Sequence, residues 1–116
     1  MKRDDTADRA IAERVRDAAA SGTPLRIVGR GTWLDAGHPV AATETLSLAG
    51  DTGVVAYTPG DLTITVRAGT TLGDLNEVVR AADQWIALDP DGGADITIGA
   101  TVATCSYGPS APLFGT

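Results

Sequence analysis

The stretch LTITVRAGTTLGDL, residues 62–75, changes its period halfway along. Leu62, Ile64 and Val66 alternate with Thr63, Thr65 and Arg67, the two-residue repeat of a strand with one covered face. Beyond Ala68-Gly69 the apolar residues recur as Leu72, Leu75, Val78, Val79 and Ala82, which fall on one side of a helix. Thr71 stands where its hydroxyl can cap that helix, and Asp74, three residues on, completes a box-like pattern and suits the positive end of the helix dipole. A strand that runs straight into a helix makes mixed α/β the fold class against which the rest of the chain is read.

Working outward, Gly53-Val54-Val55-Ala56-Tyr57 faces residues 62–67 across Thr58-Pro59-Gly60-Asp61. Proline followed by glycine suits the centre of a type II turn, so a hairpin is expected with positive φ at Gly60. Upstream lies a short apolar piece, Leu46-Ser47-Leu48, and before it an irregular stretch, Gly31 to Pro39, rich in turn formers. Leu25 to Val28 read as a strand, and Ala7, Ile11, Val15 and Ala18 give residues 5–20 the stripe of an amphipathic helix closed by Ser21-Gly22. Downstream, Trp85-Ile86-Ala87-Leu88 reads as another short strand, followed by the turn-rich Asp89-Pro90-Asp91-Gly92-Gly93. The last segment, Asp95 to Pro109, is crowded with small residues and hydroxyls. The sequence closes on Leu113-Phe114-Gly115-Thr116 without charged residues or a terminal helix, so a partial domain over residues 1–116 is expected.

With 116 residues, one domain is the ceiling. Nine basic against fifteen acidic side chains give a net charge of -6, which argues against nucleic acid as a partner. Most of the basic residues precede position 31; after it only Arg67 and Arg80 remain, so an anion must be met near the amino end or by backbone amides. Cys105 is the single cysteine, which excludes an internal disulfide and makes a reducing cytoplasm the expected setting. No apolar run has signal-peptide or membrane-spanning character, so membrane insertion is not expected. Cys105 and the lone His38 have no companions of metal-ligating type, and no metal is expected; both read as ordinary residues, Cys105 buried and His38 on the surface.

The pair Gly29 and Gly31, in Val28-Gly29-Arg30-Gly31-Thr32-Trp33, follows the first strand. A Rossmann fingerprint needs a third glycine where Leu34 stands and a helix in place of Asp35-Ala36-Gly37-His38-Pro39. A Walker loop needs Gly-Lys-Ser/Thr, and the one lysine is Lys2. Two readings stay open: the glycines turn the chain, or the loop presents successive backbone N–H groups to an anion, with Thr32 adding a hydroxyl and Arg30 or Arg26 a cation. The second small-residue segment is equally two-sided. If a helical turn starts near Thr97, then Gly99, Ala100 and Ala103 share a face that either packs tightly on the sheet or lets a flat ring approach the backbone, with Thr97, Thr101, Thr104 and Ser106 beside it.

Three blocks together resemble the FAD-binding domain of the vanillyl-alcohol oxidase family, the PCMH type. They are Leu25 to Thr32, similar to its strand and pyrophosphate loop; Leu62 to Leu75, similar to its strand-Ala-Gly-Thr-helix block; and Thr97 to Thr104, similar to its Thr-Ile-Gly-Gly segment. Order and spacing agree over about residues 5–113. Within that family, Leu46 to Asp61 and Ser106-Tyr107-Gly108-Pro109 are most similar to the FAD-binding subunits of glycolate oxidases. The resemblance implies an α/β (α+β) fold, the amino-terminal portion of such a domain, with FAD as cofactor. It implies that the amides of Gly29, Arg30, Gly31, Thr32 and Trp33 wrap the pyrophosphate, and that Pro90 and the segment from Ile98 through Gly99, Thr101 and Thr104 to Ser106 lie along the ribityl and isoalloxazine parts. Thr32-Trp33 occupy the place where some members attach the flavin to a histidine, which implies noncovalent FAD, and Ala100 replaces the second glycine of Thr-Ile-Gly-Gly.

The function expected from this resemblance is the FAD-binding part of a flavin-dependent oxidoreductase acting on a 2-hydroxy acid such as glycolate, alongside partner subunits. No catalytic residue is assigned. The competing expectation is a non-catalytic α/β module that holds a nucleotide or a partner.

Overall fold

The computed structural model describes residues 5–115; the charged start Met1 to Asp4 and the final Thr116 lie outside that range. Helix α1 spans Asp5–Ser21, strands β1 and β2 span Leu25–Val28 and Glu44–Ser47, strands β3 and β4 span Val54–Thr58 and Thr63–Val66, helix α2 spans Leu72–Arg80, α3 spans Ile98–Thr104 and a short α4 spans Ala111–Phe114. The α/β class holds, with the small sheet divided into two ladders. β1 and β2 run parallel, Ile27 opposite Leu46, while β3 and β4 form the antiparallel hairpin, with an irregularity between Val54 and Ala56. No described helix is long and apolar enough to cross a membrane.

The core sits on α2. Leu72, Leu75 and Val79 are buried on its inner face, joined by Ile96 and, from α1, Ala18. The remaining stripe of α1 is less covered, and Val15 stays exposed. Hydrogen-bonded ion pairs dock α1 instead. Arg67 Nη1 reaches Asp8 Oδ1 at 2.8 Å and Asp51 Oδ1 at 2.5 Å, and Arg14 pairs with Glu44. The helix closes as Thr23 N–H donates to the Ala18 carbonyl at 2.9 Å around Gly22.

The expected cap of α2 is present: Thr71 Oγ1 accepts from the Asp74 amide at 3.1 Å. Thr97 repeats the device for α3, accepting from the Ala100 amide at 3.3 Å. The two caps are themselves bridged. Thr71 and Thr97 pair as isolated β-residues, flanked by Leu72 N–H to the Ile96 carbonyl and Ile98 N–H to the Thr70 carbonyl, both at 2.9 Å. This single bridge sets α3 beside α2 although a long connection separates them in sequence.

Two expectations are corrected. The hairpin closes at the pair Thr58–Thr63, so four residues form the connection instead of a two-centre type II turn. Pro59–Asp61 make a 3₁₀ turn, and the left-handed residue is Leu62 (φ 55°) instead of Gly60. Leu62 is 78% exposed and drops out of the alternating face. Residues 85–88 make no ladder, because the Ile86 amide donates at 3.0 Å to Asn76 Oδ1, a side chain of α2, where a strand neighbour would have supplied a carbonyl. Trp85 is exposed and meets Phe114 edge-on, with centroids 5.1 Å apart.

Candidate functional site

The loop after β1 and the face of α3 enclose one cleft of about 330 Å³. Its walls are Gly29 to Leu34 on one side and Gly99, Ala100, Ala103 and Thr104 on the other, with Leu48, Ala68, Ile96 and Thr97 along the floor. The parallel pairing of β1 with β2 brings Leu48 to the floor, and the Thr71–Thr97 bridge brings α3 to the loop. The two small-residue segments therefore converge.

The loop's polarity is carried by main chain. Among the described residues, no acceptor meets the amide N–H of Gly29, Arg30, Gly31, Thr32 or Trp33. Backbone donors without protein partners require water or a ligand. Gly31 adopts φ +73°, a left-handed conformation that side chains rarely take and that occurs in backbone turns able to bind anions. Arg30 is exposed and is the one charged residue of the lining. Arg26 is engaged elsewhere, its Nη2 donating to the Val40 carbonyl at 2.9 Å. A run of free amides, one guanidinium and no carboxylate form an environment suited to a phosphate-bearing group.

The opposite wall is bare for two reasons at once. The Gly99 amide donates to the Ala68 carbonyl at 2.9 Å, and a side chain on Gly99 would stand 2.9 Å from both the Cβ and the carbonyl oxygen of Ala68. Tight packing thus accounts for this glycine. Ala100 and Ala103, on the same helix, instead line the cleft, where small side chains leave a flat approach to the backbone.

Residues 6–116 match the protein family described as FAD binding domain. The chain belongs to the FAD-binding domain family. Its sequence is 34% identical over 116 residues to the glycolate oxidase subunit GlcE of Escherichia coli (strain K12), covering 99% of this chain and 33% of that protein. The chain thus spans about a third of the length of this relative. The PCMH-type assignment drawn from the three blocks stands, and FAD is the cofactor. The residues present fit it, since the free amides beside Arg30 suit a pyrophosphate and the Ala100–Ala103 face suits a flat group.

Of the positions expected to contact FAD in this FAD-binding domain, Gly29, Arg30, Gly31, Thr32, Trp33, Gly99 and Thr104 line the cleft. Pro90, Ile98, Thr101 and Ser106 do not. Pro90 is buried beside Asp89. Thr101 is turned inward, its Oγ1 donating to the Thr97 carbonyl at 3.1 Å. The Ser106 amide donates to the Thr101 carbonyl at 3.1 Å and finishes α3, and Ile98 is half-buried on another side of that helix. Leu34, Leu48, Ala68 and Ile96 join the lining beyond the expected set. For Ala68 a signal exists in its place between strand and helix in residues 62–75.

Asp89 organises the segment beyond α3. Its Oδ1 accepts from the Gly108 amide at 3.1 Å and its Oδ2 from the Ser110 amide at 2.9 Å, pinning residues 108–110. Hydrogen bonds from the Ser110 hydroxyl first, and then from the backbone amides, hold this carboxyl below its usual range. Cys105 corrects another expectation: it is exposed, because it occupies the left-handed position (φ 50°) that ends α3. His38 is exposed, as expected.

Proposed function

We propose that the cleft holds FAD noncovalently, with the amides of Gly29 to Trp33 and the Arg30 guanidinium on the pyrophosphate and with Ala100, Ala103 and Thr104 against the neighbouring flat portion. The single observation that carries this reading is the run of five amides without an acceptor among the described residues, in a cleft whose other wall carries small side chains. Bound flavin supplies the capacity to take up two electrons from a substrate. The chain's own residues bind and orient. Main-chain donors fix the anionic part, and Trp33 and Leu34 shield one side of the cleft from water. Among the described residues, the lining contains no carboxylate, imidazole or amine, so in this reading proton transfer to and from the substrate falls to groups outside it. Ile98, Thr101 and Ser106 build and finish α3 without reaching the cleft.

In this proposal residues 1–116 are the amino-terminal part of a PCMH-type FAD-binding domain within a larger oxidoreductase. The substrate class, a 2-hydroxy acid such as glycolate, the partner subunits and the cytoplasmic setting belong to the proposal as well. Similarity to a glycolate oxidase subunit supports the first two, and the single cysteine supports the last.

The test is a titration followed by flavin fluorescence, with FMN as the control because it lacks the pyrophosphate. The expected result is retention of FAD through gel filtration and a preference for FAD over FMN of about tenfold or more, the worth of one or two charge-assisted hydrogen bonds. Equal affinity for the two flavins, or flavin that elutes free, overturns the reading.

A further inference from the structure

The two glycines of the loop are glycines for different reasons. Gly31 has positive φ and no clash, the nearest side-chain atom, of Leu34, lying in ordinary contact 3.5 Å from where a Cβ would stand. Gly29 has an ordinary backbone conformation, but a Cβ there would overlap Oγ1 of Thr97 and lie 3.1 Å from its Cγ2 and 3.3 Å from its Cβ. Gly31 is required by conformation, Gly29 by the side chain that fills its place. That side chain is among the best anchored in the molecule. Thr97 is 2% exposed, its Oγ1 caps α3 through the Ala100 amide, its carbonyl accepts from the Thr101 amide at 3.0 Å, and its backbone pairs with Thr71.

We propose that Thr97 is the positioning residue of the cleft, seated in the gap left by Gly29 so that the first turn of α3 and the amide-bearing loop keep a fixed separation. The proposal rests on the reading that the cleft takes FAD. Thr97 acts through the loop: it makes one rigid contact where the two walls meet, and the spacing between the Gly29–Trp33 amides and the Ala100–Ala103 face is set by it. A methyl group on Gly29 would drive the walls apart, and shortening Thr97 would let them close again.

The test uses five variants of the full chain: Gly29→Ala, Gly31→Ala, Thr97→Ala, Gly29→Ala/Thr97→Ala and Gly31→Ala/Thr97→Ala. Each is measured for FAD affinity, for the visible circular dichroism of saturating FAD and for the urea midpoint without flavin. Gly29→Ala is expected to weaken FAD about tenfold or more, an overpacking cost expressed in binding, and to alter the dichroism even at saturation, which a purely structural role would leave unchanged. Adding Thr97→Ala is expected to bring affinity and dichroism back to within about threefold of Thr97→Ala alone, because removing Oγ1 and Cγ2 leaves only the 3.3 Å approach. The same change gives Gly31→Ala no relief. Failure of the double variant to improve on Gly29→Ala, or equal relief of Gly31→Ala, overturns the proposal. If Gly29→Ala does not fold, recovery of folded protein in the double variant is the supporting result and its absence the overturning one. A wild-type chain that takes up no FAD refutes the flavin reading, while the urea midpoints still decide whether Thr97 and Gly29 are coupled.

Discussion

Replacing Gly99 by alanine separates packing from ligand contact in α3. Inside a helix this change ordinarily gains about 1 kcal/mol, from the glycine's poor propensity. Here the added Cβ would stand 2.9 Å from both the Cβ and the carbonyl oxygen of Ala68, with the carbonyl carbon at 3.3 Å. Carbon does not approach carbon or oxygen so closely, and backbone cannot swing aside as a flexible side chain would. Either α3 retreats from the β4–α2 junction, at an overpacking cost of about 1–3 kcal/mol, or the 2.9 Å bond from the Gly99 amide to the Ala68 carbonyl is lost, at about 1 kcal/mol. Set against the propensity gain, the net runs from about zero to a destabilisation of about 2 kcal/mol, a fall in Tm of up to roughly 10 °C for a domain of this size. Urea unfolding with an unchanged m-value reads it directly. A Gly99→Ala chain that shows the full gain of about 1 kcal/mol would refute the argument that close approach to Ala68 dictates this glycine. Ala100→Leu is the companion. It lies one position along on the cleft face, and it should leave stability within about 1 kcal/mol while lowering FAD affinity.

Thr71→Ala removes the acceptor of the Asp74 amide and should cost about 1 kcal/mol in urea unfolding, with Thr71→Ser restoring most of it. Asp89 has a folded-state pKa below its unfolded value, so its contribution to stability is complete above about pH 4 and is lost as pH falls through the folded value. Thermal midpoints of Asp89→Asn should therefore change less than those of the wild type across that acid range, and parallel acid profiles would count against the Asp89 clamp. The Arg67 guanidinium, held charged by Asp8 and then Asp51, ties α1 to the hairpin. Arg67→Gln should accelerate amide exchange in α1 more than in α2, and uniform acceleration would refute a local docking role.

Local chemistry made much of this fold legible. A hydroxyl ahead of a 3.6-residue apolar repeat marks Thr71, whereas a helix start near Thr97 enters the sequence reading only as a condition for the small residues to share a face. Features that depend on a tertiary partner were not legible. Leu62 takes the left-handed position because the hairpin closes one pair further out than its proline-glycine suggested. The apolar letters of Trp85 to Leu88 resemble a strand, yet Asn76 claims the amide at Ile86. Within the site, the resemblance assigns the segment 98–106 to the cofactor as one stretch, and helical rotation divides it. Ala100, Ala103 and Thr104 face the cleft, Thr101 faces the interior and Val102 faces outward. The spacing of Ala100 and Ala103 puts them on one face, which lines the cleft, but the contact between Gly99 and Ala68 has no counterpart in a linear pattern.

The lone ladder link between Thr71 and Thr97 also orders assembly in time. α3, at seven residues, is far below the length at which a helix persists unaided. It must wait until the chain loops back past α2 and registers against an already formed partner, an entropic delay that a local hairpin does not share. Of the cleft's two walls, α3 is therefore the one whose placement waits on a long-range contact.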